Sequence, residues 1–438
     1  MSDNKEGSST KPFVSVKNQV IQHINKFESN LIKIGLLSKS IGSQEDSDSE
    51  SHDKESSFDE TKKRIQIFLT FIVYFLIIIK HSVTILWYLL PRQESEMTWT
   101  TRLMSSGNLY TFFGPNVSLI MSGCFASSSL LCASQLLTFI WFERKRMLYS
   151  LYDFYPSINA SQDRLMLSNE NYSFMANTFK YTVKLQGAVN YLVVYPVLIV
   201  FMVLLSLSLY QENSLALALL SIPHFIHDMT HMAIGTHHIF STQCFLFISS
   251  TYLLMLLQQL VQNKAVYIEN NNELESMYNQ LNRINEMVQE RNRMVKYLLN
   301  SSVVFCSPFM GIMMLCFITD CPVFIQLVFA SVVINFVGLS AFAMYYAGRV
   351  FHVSRQLHQV MHSVQVSVIS KTKVSSRTRL LRLRTNLKLM KLLSCRTKPL
   401  GFTFPDGDVV TPLSPFSFIG STVTLTFMLL DLSLQLIL

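Results

Sequence analysis

Apolar residues run through this chain in long blocks separated by short polar stretches. A bilayer core about 30 Å thick takes about 20 apolar helical residues to cross. Blocks of that order occupy 65–90, 110–141, 187–210, 239–261, 300–320, 323–347 and 412–438, so the pattern predicts seven transmembrane helices. The fourth is preceded by a semi-apolar segment from Ser214, with Pro223 shortening the helix on that side. The fifth and sixth are joined by the tight Asp320-Cys321-Pro322 turn.

The polar stretches have patterns of their own. Val16, Val20, Ile24, Phe27, Leu31 and Ile34 recur at helical spacing, the mark of an amphipathic surface helix. The Ser-rich acidic run 44–60 cannot bury a core, and residues 1–60 read as a disordered cytosolic tail holding that helix. Residues 262–299 lack Pro and Gly, and Leu274, Leu281, Val288 and Val295 repeat every seven positions there, with Arg291 interrupting the complementary series. Helices that outlast the membrane and pack beneath it are expected, as a hairpin within one subunit or as an oligomerisation platform. The organisation read from the chain is therefore a tail (1–60), spans one to four (61–261), a cytosolic helical extension or anchor (262–299), spans five and six (300–347), a basic linker (348–411) and a last span (412–438). The fold class is all-α, a polytopic membrane protein with helices extended into the cytosol.

Composition agrees. Only 15% of the residues are charged, against about 25% in a soluble chain. The net charge of +8 comes mainly from linkers, which argues for membrane orientation over nucleic-acid binding. Lys62, Lys63 and Arg64 precede the first span; Arg144, Lys145, Arg146, Arg164, Lys180 and Lys184 follow the second. Residues 349–398 hold twelve Lys or Arg and no Asp or Glu, whereas 211–238 and 320–322 have no Lys or Arg. The basic loops thus share the amino-terminal side, placing the amino terminus in the cytosol and the carboxyl terminus outside. The sequons at Asn159 and Asn171 fall on the side assigned to the cytosol. No CxxC pair, nucleotide-binding loop, catalytic triad or HExxH motif occurs, so neither an enzyme nor a cofactor is expected.

An inside amino terminus with seven spans is the reverse of a G-protein-coupled receptor, and it resembles the insect gustatory and odorant receptor superfamily, including the gustatory-receptor-like proteins of nematodes. Lys398-Pro399-Leu400-Gly401-Phe402-Thr403-Phe404 looks like that family's approach to its last span. After Ile419-Gly420, the tail has Thr424-Leu425, five residues, then Asp431-Leu432, where the family has Thr-Tyr, five apolar residues and Gln-Phe. The resemblance implies a sensory receptor of the plasma membrane that is itself a ligand-gated, non-selective cation channel. It further implies a homo- or hetero-tetramer whose seventh helices line the pore, with a small-molecule ligand, or light or peroxide, as stimulus. The alternative is a G-protein-coupled chemoreceptor without a pore.

Two groups of residues are candidates for function. On the last span, Thr424, Phe427, Met428, Asp431 and Leu432 would face the pore or gate; four copies of Asp431 would make a carboxylate ring that concentrates cations. In the bundle, Lys80 and His81 lie mid-span, and His224, His227, Asp228 and His231 fall at i, i+3, i+4 and i+7 on one helical face. That face suits ligand or acid sensing, metal coordination, or an ordinary pocket wall.

Overall fold

The computed structural model describes residues 10–37, 53–89, 115–144, 168–211, 215–263, 271–301, 304, 307–315, 323–370, 384, 387, 400–404 and 406–437. Most of the described residues are helical: α1 (Thr10–Lys33), α2 (Asp53–Leu89), α3 (Pro115–Arg144), α4 (Asn169–Val189), α5 (Tyr195–Gln211), α6 (Leu215–Gln262), α7 (Asn271–Ser301), α8 (Ser307–Leu315), α9 (Val323–Ser370) and α10 (Ser414–Ile437). Among the described residues the β pairing is a single bridge, Thr403 with Val409. Five segments are long and apolar enough to cross a membrane: Thr61–Tyr88, Ser118–Arg144, Glu170–Leu207, Ile222–Gln262 and Ala330–Val364.

Several helices overrun the apolar blocks. The semi-apolar stretch before the expected fourth span is continuous with it in the 48-residue α6, and Pro223 sits inside that helix. Proline there forgoes the bond to the carbonyl of Leu219 and crowds that carbonyl with its ring, yet the helix continues through it. The expected third span starts earlier than its apolar block, because α4 begins at Asn169 and leads through a π-helical turn, Asn190–Val194, into α5. Pro196 follows that turn, and a π-bulge is a usual place for a helix to absorb a missing i→i−4 bond. Ser168 caps α4, its Oγ accepting from the Asn171 N–H at 3.3 Å, while Asn171 Nδ2 donates to Gln259 Oε1 at 3.3 Å.

α6 is the hub. In its most apolar window 78% of residues are buried, against 33% for α2, which faces outward with Phe68, Phe75 and Leu86 more than half exposed. α3 lies along α6 in parallel, shown by contacts between Cys132 and Gly235 and between Phe139 and Phe245. α2 runs antiparallel to α3, with His81 on Phe125. Phe342 and Tyr346 bring α9 to Phe247 of α6. α7 closes the amino-terminal side: Tyr297 meets Trp141 and Phe142, and the buried Arg291 lies over the Tyr252 ring at 4.9 Å with Nη1 directed at the Ser249 carbonyl. Arg291 thus occupies a stripe otherwise apolar (Met277, Leu281, Ile284, Val288, Val295, Leu298), tolerated because an aromatic face and a carbonyl receive its charge.

The approach to α10 is fixed by close backbone packing. Phe402 and Val410 pair across a turn at Gly407, whose φ of 94° suits glycine. Leu400 N donates to Ser354 Oγ of α9 at 2.7 Å, and Thr403 N donates to Asn292 Oδ1 of α7 at 2.8 Å. A side chain at Gly348 of α9 would lie 2.2 Å from the Thr411 backbone carbon. Gly348→Ala must therefore push this segment off α9, with an expected loss of about 1–3 kcal/mol. Gly338→Ala in the same helix meets nothing within 4 Å and should be neutral or stabilising. Thermal unfolding of the detergent-solubilised protein distinguishes them; equal melting temperatures for the two variants would contradict the contact.

Candidate functional site

Three helices turn matched stripes toward one another, each with the alternating three- and four-residue spacing of left-handed packing. α2 contributes Thr70, Tyr74, Ile77, His81 and Thr84; α3 contributes Ser118, Ser122, Phe125, Ser129 and Cys132; α6 contributes Asp228, His231, Gly235, His238 and Thr242. All but Gly235 have side chains to bury, and all of those are buried. A membrane helix with its polar stripe inward and apolar face outward inverts the soluble pattern, since lipid offers polar groups no partners. Gly235 lets α3 and α6 approach, as a Cβ there would stand 3.2 Å from Cys132 Sγ.

The charged centre of this seam is an ion pair. Lys80 Nζ donates to Asp228 Oδ1 at 2.7 Å and to the His224 carbonyl at 3.1 Å. His81 Nε2 donates to the same carboxylate oxygen at 3.2 Å, and its ring stacks on Phe125 with centroids 4.7 Å apart. Each of these three side chains is essentially fully buried. An unpaired carboxylate or ammonium would be prohibitive at this depth, and the paired arrangement offsets much of that penalty.

A second node lies one turn further along α6. His231 bonds Ser128 Oγ through Nε2 at 2.9 Å and lies 3.2 Å from Ser129 Oγ. Ser128 Oγ also donates to the Phe125 carbonyl, so toward His231 it accepts, and Nε2 carries the proton. A third node joins Tyr74, whose hydroxyl donates to His238 Nδ1 at 2.8 Å, while His238 Nε2 donates to the Ile34 carbonyl after α1. The Tyr74 ring meets His231 edge-on at 5.5 Å and His238 at 5.6 Å, linking second and third nodes.

The sequence-derived bundle candidates therefore gather in part. Lys80, His81, Asp228 and His231 converge, whereas His224 offers its backbone carbonyl, and His227 is only half-buried. Among the described residues no group of three or more His, Cys, Asp and Glu is arranged to hold a metal ion. Tyr74, Phe125, Ser128, Ser129 and His238 complete the seam and were not among the candidates; the recurrence of polar residues at 70, 74, 81 and 84 within an apolar block was the available signal.

The last-span candidates lie apart, on α10, which packs against α8 and α9. Ser414, Phe418, Thr422 and Thr426 form its buried stripe, with Thr426 Oγ1 3.5 Å from Met314 Sδ of α8. Thr424, Phe427, Met428 and Asp431 fall on the exposed side, Phe427 and Met428 each 64% exposed. Leu432 belongs to the same helix, its side chain outside the described residues.

Neither a family model nor a curated protein matches this sequence. Solved structures do. The insect olfactory receptor OR5 from Machilis hrabei superposes with a TM-score of 0.60 at 11% identity, covering 87% of this chain and 93% of that one. The same receptor in complex with eugenol superposes with a TM-score of 0.65 at 11% identity, covering 95% and 99%. The chain has the fold of an insect olfactory receptor.

Removing one partner of the Lys80–Asp228 pair should be worse than removing both. Asp228→Leu or Lys80→Met alone leaves a buried charge, costing about 3–5 kcal/mol. The double variant should recover part of that loss in a thermal unfolding cycle. Additive losses would show that the two charges do not meet.

Proposed function

We propose that this protein is a non-enzymatic chemosensory receptor of the insect gustatory and odorant receptor superfamily and is itself a ligand-gated cation channel. The observation that carries this reading is end-to-end correspondence with the olfactory receptor fold, 95% of one chain on 99% of the other. An isolated shared motif would not cover that share of both chains. The sequence resemblance in the approach to α10 points the same way.

In this reading four subunits, identical or mixed, sit in the plasma membrane as seven-span chains with cytosolic amino termini and extracellular carboxyl termini. The basic linker 349–398 supports that orientation. The fourfold axis is lined by α10, whose side bearing Thr424, Phe427, Met428 and Asp431 is left exposed by the subunit's own packing. Phe427 and Met428 are apolar and large enough to close a narrow conduit by dewetting, and Asp431 and Leu432 stand one turn further out. The stimulus is a small molecule held within the bundle. Eugenol, the ligand in the second olfactory receptor structure, gives the class to try first: a small, partly polar aromatic.

Patch-clamp recording from cells expressing only this chain tests the proposal. A ligand drawn from such a panel should evoke a current carried by monovalent cations. Asp431→Asn should reduce its unitary conductance by roughly twofold or more at low ionic strength, because a ring of four carboxylates raises local cation concentration. Ligand-evoked second-messenger signals with no current would instead establish the G-protein-coupled alternative.

A further inference from the structure

The amino-terminal helix makes contacts that neither the pore nor the ion pair requires. α1 closes in a Schellman turn: Gly35, at φ 78°, donates to the Ile32 carbonyl, and Leu36 N donates to the Leu31 carbonyl at 2.9 Å. Leu31 and Leu36, the hydrophobic partners of that motif, are fully buried. The turn leaves two carbonyls over, and each is taken by a different membrane helix. Gln66 Nε2 of α2 donates to Lys33 O at 3.0 Å, and His238 Nε2 of α6 donates to Ile34 O. A third tie reaches α4, where Asn30 Nδ2 donates to Gln186 Oε1 at 3.0 Å. Gln186 in turn donates to Ser241 Oγ of α6 at 3.2 Å.

We infer that α1 is a regulatory brace, latched through His238, whose docking sets the balance between the resting and active arrangements of α2 and α6. Bonds to fixed backbone carbonyls have little slack. Sliding α6 against α2 by one residue, about 1.5 Å, would break one of the two carbonyl bonds. Undocking has its own consequence inside the seam. It strips His238 of its acceptor, leaving a buried N–H beside Tyr74, and that donor must find a new partner or turn the ring. His238 lies ten residues from Asp228 on the same unbroken helix, so the state of α1 is felt in the element that carries the ion pair. The helix itself packs chiefly on α4, with Ile24, Phe27 and Leu31 buried along one stripe and Phe27 edge-on to Phe179 at 6.2 Å.

The electrophysiological arm of the test rests on the channel reading; a second arm does not. His23 of α1 lies within electrostatic reach of Lys180 of α4, whose side chain is exposed. In the full chain, His23→Cys with Lys180→Cys can be bridged by a reductant-cleavable bifunctional thiol reagent applied to the amino-terminal side of membranes. Bridging should occur readily in that background and fall severalfold when His238→Phe is added. No bridging, or bridging indifferent to His238→Phe, would overturn the latch whether or not the protein conducts. In patches, bridging and release should shift the half-activating ligand concentration in opposite directions, each by roughly threefold or more, with reductant reversing the first. Release uses Asn30→Ala or Gly35→Val, neither of which touches the ion pair or α10. Shifts of the same sign, or none in channels that otherwise respond, would overturn the regulatory role. A double-cysteine chain that bridges normally, and loses bridging with His238→Phe, but carries no current would count against the channel reading alone.

Discussion

The 2.7 Å contact between Lys80 and Asp228 is the constraint to which the rest of the bundle conforms. Lipid supplies no counter-charge and no hydrogen-bond partner, so each of these groups must be met by protein. The pair joins α2 to α6 across 148 residues of chain, and α3 is drawn in because His81, the third member, needs a surface for its ring. Replacement by well-packed apolar residues would stabilise many such sites, so the pair acts less as a source of stability than as a constraint on how α2 and α6 can meet.

From that contact a polar seam follows. Once α2 and α6 are locked in register, the three- and four-residue spacing carries Tyr74 to His238 and Thr84 toward the opposite end. Serines of α3 complete the pattern in two ways. Ser127, Ser128 and Ser134 bond carbonyls of their own helix, and Ser128 additionally receives His231. The outward face can then be apolar along the span, as on α2 from Phe68 to Leu86.

What could be read from the sequence follows from which interactions are local. Span lengths are set by bilayer thickness, so the apolar blocks mark most of the crossing helices. Helix ends are set by backbone continuity, so Pro223 and the polar start of α4 misplace two boundaries. The face containing Asp228 and His231 was legible because helical spacing is local, as was the oddity of Lys80 and His81 in an apolar block. Their mutual contact was not, since it joins segments whose register depends on the whole fold. Tyr74 escaped notice for a related reason, since a lone Tyr in a span has no distinguishing pattern until its partner is in place; His238, beside His237 and near the Asp228 face, stood out as a histidine but gave no sign of its partners. Arg291 is the converse case. It looked like a flaw in a heptad, and the Tyr252 ring that accommodates it lies on another helix.

Two parts of the fold are held by different kinds of force. Around α2, α3 and α6 the contacts are directional, with an ion pair, imidazole–hydroxyl bonds and capped carbonyls that exist only at particular registers. Along the buried stripe of α10 the contacts are mostly van der Waals. Thr422 and Thr426 spend their hydroxyl protons chiefly on carbonyls of their own helix, and the 3.5 Å approach to Met314 is a weak one. A packed stripe of this kind can shift by a fraction of a helical turn at small cost, whereas the seam moves only by exchanging one set of bonds for another. Between them lies the segment docked on Gly348 and Asn292, whose directional bonds and close backbone contact fix the start of α10 to α9 and α7 even though the stripe beyond it is held loosely.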